Sequence, residues 1–333
     1  MENKPKFAVI GGGSWATAIA KMLCENQDEI AWYMRSTYAI EHLKNQKHNP
    51  NYLSSVAFDT NKLKLTNDIN EAVAYADYII FVVPSAFLSK ELESLTESLE
   101  GKIIFSAIKG IVPESSLIVG EHFHTQYNIP FENIGVITGP CHAEEVAMER
   151  LSYLTIACSD RKKAKYVAQN LSSHYIKAKT TDDIIGTEYA AVLKNIYAIV
   201  SGIAEAMHAG QNTKSVVLTR SLAEMSRFAV KLGANPLTFL GLSGVGDLYV
   251  TCTSPLSRNF RIGVALGQGK TLDQAIAEVG QVAEGVNTTK LVKEKADALG
   301  IYMPLASALY ATLFEQRPIM ESLKTMMLAE QNT

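Results

Sequence analysis

Lys194 interrupts a run that is apolar on almost every side: Ala190, Ala191, Val192, Leu193, Ile196, Tyr197, Ile199, Val200 and Ile203. The spacing predicts a buried helix over Thr187 to Met207, with Lys194, Ser201 and Glu205 on one polar stripe. A lysine held in a dry cleft, or beside another cation, has a lowered pKa and becomes usable in proton transfer. The alternative is a solvated stripe. Asp247 stands in the glycine-rich run Leu240 to Leu248, where it could orient that lysine or accept from a hydroxyl. Ser257-Arg258-Asn259 follows, a forked cation with two polar neighbours, suited to a phosphate. Read blandly, this is an inter-helix loop with Ser254-Pro255 starting the next helix.

These groups need a scaffold, and the first stretch of the chain supplies one. Phe7-Ala8-Val9-Ile10 leads into Gly11-Gly12-Gly13-Ser14-Trp15-Ala16 and then a helical run, Ala18 to Leu23. Strand, glycine loop and helix in the pattern G-x-G-x-x-A form a dinucleotide-binding fingerprint. Gly11 serves the tight turn, and Gly13 lets backbone approach a pyrophosphate at the helix N-terminus. Further strands are predicted at Ile30–Tyr33, Leu63–Thr66, Tyr78–Val83, Lys102–Ser106, Ile134–Thr138, Thr155–Cys158 and Tyr175–Ala178. Helices are predicted at Ile69–Ala76, Ala86–Leu99, near Ser115–Phe123 and at Arg161–Leu171, with a loop over Glu41–Asp59. Persistent β-α alternation predicts a parallel, doubly wound Rossmann-type sheet. Gly11–Ser14, Arg35, Pro84, Lys109 and Gly139–Cys141 all follow strand ends, so they should line one crevice. Arg35 stands where an NAD-selective site usually has an acid. A guanidinium there favours the 2′-phosphate of NADP, with dual use of NAD left open.

Past about Asp183 the β-like runs vanish and helical periods take over. The expected division is a dinucleotide-binding domain over 1–186 and an all-helical substrate domain over 187–333. With 333 residues, 47% hydrophobic and a net charge of -3, the chain has globular composition and no basic field for nucleic acid. Four scattered cysteines, with no C-x-x-C, suit a reducing compartment. No signal peptide, membrane span or zinc spacing is read.

The segments GGGSWATA, VVPS, IKGI, TGPCHAEEVA, LKNIYAI, NPLTFLGLSGVGDLYVTCTSPLSRNFR and VAEGVNTT together resemble the bacterial NAD(P)-dependent glycerol-3-phosphate dehydrogenases over nearly the full length. The resemblance implies reduction of dihydroxyacetone phosphate to sn-glycerol 3-phosphate for phospholipid synthesis, in the cytoplasm, by a homodimer, with the site between the two domains. No metal is expected, since the lysines supply the positive charge. It implies cofactor contacts at Ser14, Trp15, Met34, Arg35, Lys109, Ala143, Arg258, Val282 and Glu284. Substrate contacts fall on Lys109, Gly139, Cys141, Lys194, Asp247, Ser257, Arg258 and Asn259, with Lys194 matching the proton acceptor. Cys141 stands where many relatives carry Ser, which exchanges a hydroxyl donor for a weaker thiol. Ala16 replaces a common Gly, and Met34 lacks the polar group of some relatives. A two-domain β-hydroxyacid or ketopantoate-type reductase is the near rival; a non-catalytic NADP sensor on the same fold is the distant one.

Overall fold

The computed structural model describes residues 4–319 and 321–322. They divide into two compact units. One runs to Ile108 and resumes over Leu117–Ile184; the other takes Lys109–Ser116 and the chain from Ile185 onward. The end of the predicted second domain, from residue 323, lies outside the described residues.

The first unit is built on an eight-stranded sheet: β1 (Phe7–Ile10), β2 (Ile30–Tyr33), β3 (Leu63–Thr66), β4 (Tyr78–Phe81), β5 (Ile103–Ser106), β6 (Ile134–Thr138), β7 (Ser152–Cys158) and β8 (Ile176–Thr181). The order is β3-β2-β1-β4-β5-β6-β7-β8. Strands β1, β2 and β4 are apolar along their whole length and buried at every position, as strands covered on both faces must be. At one edge, β8 exposes Lys177 and Lys179, charges that discourage pairing with another chain.

The sheet is not parallel throughout. β7 runs antiparallel to β6, while every other neighbouring pair is parallel. The link from β6 to β7 carries only a five-residue helix, Ala143–Ala147. After β6 the chain turns back and descends as β7. Gly139 makes that turn: its φ is +127°, and a Cβ there would sit 2.4 Å from the Tyr153 carbonyl oxygen.

Three helix expectations change. Thr37–Gln46 is helical where a loop was expected from Glu41, because Ser36 caps it and Ala39, Ile40 and Leu43 form a buried stripe. The helix expected over Ala86–Leu99 spans Ser85–Leu92. Beyond it, Asn70 Oδ1 accepts from the backbone N–H of Thr96 and Glu97 and holds the chain out of helix. The helix placed near Ser115 begins at Val119.

From Ile185 the described residues of the second unit form helices and turns. The helix Ile184–Ala206 is its axis, buried over nearly its whole length. It crosses Arg258–Gly267 with backbone against backbone: a Cβ on Gly263 would lie 2.0 Å from the Ile199 carbonyl oxygen, and one on Gly202 2.1 Å from that of Phe260. Only glycine permits so close a crossing. Its consequence is to lay the N-terminus of the second helix beside the turn that carries Lys194 and Asn195.

Candidate active site

Two groups of residues matter, one in each unit. In the second, Lys194 is 4% exposed, in the middle of its helix. Its Nζ donates to Asp247 Oδ1 at 2.5 Å and to Thr251 Oγ1 at 2.9 Å. Asp247 is itself buried. It opens the helix Asp247–Thr253, where the helix dipole favours a negative charge, and its Oδ2 lies 3.5 Å from Lys109 Nζ. The glycine run before it, Leu242–Gly246, winds as one wide turn that feeds directly into this helix.

One carboxylate thus faces two ammonium groups. Burial is the largest influence on Lys194 and drives its pKa down; Asp247 opposes that, Lys109 adds to it, and the result is about 7. At neutral pH the group is poised between donor and acceptor.

A chain of side-chain amides fixes the cluster. Asn195 Nδ2 donates to the Lys109 carbonyl oxygen at 2.8 Å; Asn259 Nδ2 donates to Asn195 Oδ1 at 3.0 Å; and the Gly285 N–H donates to Asn259 Oδ1 at 2.9 Å. Gly285 cannot be larger, since a Cβ would stand 2.5 Å from the Asn195 carbonyl oxygen. Asn259 therefore uses both ends of its amide within the protein. Ser257, Arg258 and Asn259 are the N-cap and the first two residues of their helix, and Ser257 Oγ accepts from the Phe260 N–H. A cation, a hydroxyl and a helix N-terminus coincide there, the combination that holds an anion. Arg258 Nη1 also donates to the Val282 carbonyl oxygen at 3.3 Å. Val282 is exposed, and Glu284 begins the helix Glu284–Ala298.

The anticipated polar stripe does not hold together. Ser201 is buried with Lys194, but Glu205 faces solvent and pairs with Lys214.

In the first unit, Gly11 to Ser14, Arg35, Pro84 and Gly139 to Cys141 follow β1, β2, β4 and β6, on the carboxyl edge of the sheet. Lys109, counted with them from sequence, falls in the second unit and faces Asp247. Gly11 has φ +138°, and a Cβ there would be 2.5 Å from the Val82 carbonyl oxygen. Gly13 has no protein atom within 4 Å of where its Cβ would be. Packing does not demand glycine there, and the missing side chain leaves the backbone open to approach. Gly13 caps the helix Ser14–Cys24, whose first residues are Ser14, buried, and Trp15, half-buried. Met34 is 1% exposed and lies against Gly12. Cys141 and Ala143 are buried beside Gly139, and Arg35 projects outward with its side chain 72% exposed.

Sequence reasoning missed the residues that brace this loop. Trp32 Nε1 donates to the Gly11 carbonyl oxygen at 2.7 Å. Asn49 Nδ2, from a stretch read only as polar, donates to the Gly12 carbonyl oxygen at 3.1 Å and to Thr17 Oγ1 at 2.9 Å. Thr251 was missed too, although its place four residues after Asp247 puts both on one helix face.

Both halves of this arrangement have counterparts. The profile for the NAD-dependent glycerol-3-phosphate dehydrogenase N-terminus matches residues 6–164, and that for the C-terminus matches residues 183–324. Glycerol-3-phosphate dehydrogenase [NAD(P)+] of Ectopseudomonas mendocina is 42% identical over 333 residues, which is all of this chain and 97% of the relative. The chain belongs to this dehydrogenase family. The enzyme of the same description from Azotobacter vinelandii is 41% identical at the same coverage. The crystal structure of glycerol-3-phosphate dehydrogenase from Coxiella burnetii superposes with a TM-score of 0.90 at 29% identity, covering 98% of this chain and 99% of that one. Like these dehydrogenases, the chain is an NAD(P)-dependent oxidoreductase with a Rossmann-like sheet followed by helices. No helix among the described residues is long and apolar enough to cross a membrane.

Proposed function

We propose that Lys194 is the proton-transfer group in the NAD(P)H-dependent reduction of dihydroxyacetone phosphate to glycerol 3-phosphate. The observation that carries this is the buried Lys194–Asp247–Lys109 cluster, with Thr251 as a further acceptor. NAD(P)H, when bound, supplies the hydride. Lys194 holds the proton that the carbonyl oxygen takes as charge builds on it; in the oxidation direction the neutral amine receives it back. Lys109 adds positive charge at the same oxygen. Asp247 aims the Lys194 head and keeps it protonated often enough to act. No metal step is needed in this reading, because the two ammonium groups supply the electrophile.

The division of labour follows the two units in the main, and each also contributes to the other's ligand. Gly11, Gly13, Ser14, Trp15, Met34, Arg35 and Ala143 are assigned to the coenzyme. Lys109, Arg258, Val282 and Glu284 contribute to it from the second unit, and Gly139 and Cys141 contact substrate. Asp247, Ser257, Arg258 and Asn259 position the substrate, with Arg258 and Ser257 on the phosphate and Asn259 acting through the amide chain. The functional division is 1–186 for nucleotide and 187–333 for substrate, and the working form is a cytoplasmic homodimer that binds no nucleic acid.

Arg258→Ala is expected to lower kcat/KM for dihydroxyacetone phosphate by about 10–100-fold, the worth of a charge-assisted contact. Part of that loss appears in kcat, because phosphate binding positions the reacting carbonyl. The direct assay follows nicotinamide absorbance with NADPH or NADH against dihydroxyacetone phosphate, ketopantoate and hydroxyisobutyrate. Turnover confined to dihydroxyacetone phosphate is the expected result; turnover of ketopantoate instead would refute the substrate.

A further inference from the structure

Arg35 is not alone at the end of β2. Its Nη1 lies 3.4 Å from Glu91 Oε1. The other oxygen, Oε2, accepts from Tyr33 Oη at 2.7 Å. Tyr33 closes β2, and Glu91 comes from the helix Ser85–Leu92 that follows β4. In the sheet, β2 and β4 flank β1, so this link spans the strand end from which the glycine loop departs. Glu91 is 9% exposed, whereas the arginine it meets is mostly in water. The carboxylate is buried and held by the Tyr33 hydroxyl, and the guanidinium is the exposed partner.

We propose that Glu91 sets coenzyme preference by competing for Arg35. The proposal rests on the coenzyme reading of the first unit. A buried carboxylate at this spot has two effects on a ribose 2′-phosphate. It occupies part of the guanidinium fork that would grip the phosphate, and it places a fixed like charge nearby. A plain 2′-hydroxyl meets neither penalty. Arg35 read by itself points to NADP; Arg35 paired with Glu91 makes a site in which the two coenzymes are brought closer in affinity. Glu91 is thus a positioning residue, acting on the nucleotide through the guanidinium and through its field.

The test compares the unchanged protein, Glu91→Gln, Arg35→Ala and the double variant. Gln keeps the size of Glu and an oxygen for the Tyr33 hydroxyl, so the fold has no reason to change. Glu91→Gln should raise the NADPH-to-NADH ratio of kcat/KM by about tenfold, the scale of one restored charge-assisted contact, through tighter NADPH binding. Arg35→Ala should lower the ratio. In the Arg35→Ala background, Glu91→Gln should move it less than in the unchanged protein. Binding of each coenzyme, followed by nicotinamide fluorescence, gives the corresponding ratio of affinities without turnover. Absence of dihydroxyacetone phosphate reduction in the unchanged protein would therefore count against the proposed reaction and leave this test intact. A ratio within about twofold of the unchanged protein's, less than 0.5 kcal/mol, overturns the proposal. So does a rise caused only by weaker NADH binding, which would show Glu91 holding the ribose hydroxyl itself.

Discussion

Lys194→Met is expected to lower kcat for dihydroxyacetone phosphate reduction by about 10²–10⁴-fold, the usual loss when a proton-transfer group is removed. Methionine keeps an unbranched stem in the buried helix and removes only the ammonium head. Asp247 retains Lys109 and the Thr251 side chain as neighbours, so the carboxylate is not stranded. The Kd for NADPH, measured by nicotinamide fluorescence, should stay within about twofold, because the interaction lost is one made as the alkoxide forms. A kcat within a few fold of the unchanged protein's would remove Lys194 from the chemistry. A collapse of coenzyme binding alongside kcat would point to a damaged fold, which circular dichroism would show directly.

Asp247→Asn has the next largest expected effect, and two measurements see it. Removing one partner of a buried ion pair commonly costs about 3–5 kcal/mol. Here the cost depends on pH. Lys194 is already pulled down to about 7 by burial and by Lys109, and Asp247 is the influence that opposes both. Without the carboxylate its folded-state pKa drops further, while its unfolded-state value stays that of an ordinary lysine. Between those two values the unfolded chain binds more protons than the folded one, so stability rises with pH across the window. The variant should therefore be most destabilised near pH 6 and recover toward pH 9 in thermal melts. Reduction at neutral pH should fall by about 10–100-fold, as both the orienting bond and the protonated fraction are lost. A melt shifted equally at both pH values would show that Asp247 does not govern the charge on Lys194.

The nucleotide-holding half was legible because its constraints are local. Gly11 needs a backbone that only glycine adopts easily, and β1, β2 and β4 announce burial on both faces by being apolar throughout. Lys194 was legible for a related reason: a charge in a helix that is apolar on almost every side has few uses. The antiparallel turn at β7 was hidden, since strand direction is not written in the strands' own residues. The Thr37–Gln46 helix was hidden by polar residues on its exposed face, although Ile40 and Leu43 carry the helical spacing. The place of Lys109 past β5 was visible, while its partner Asp247 was not, because it lies far along the chain. Glu91 was invisible for the same reason: nothing in Ser85–Leu92 tells that one of its charges is buried against β2. Local geometry is written in neighbouring residues, and charge pairing is written only in the fold.

The central claim is that a buried lysine near neutrality exchanges the proton with the carbonyl oxygen. The dependence of log kcat/KM on pH, taken in both directions, tests it most directly. Reduction needs Lys194 charged, so its rate should fall as pH rises through about 7. Oxidation needs it neutral, so that rate should rise through the same value. Profiles that are flat between pH 6 and 9 in both directions, or that bend the same way, would contradict the account.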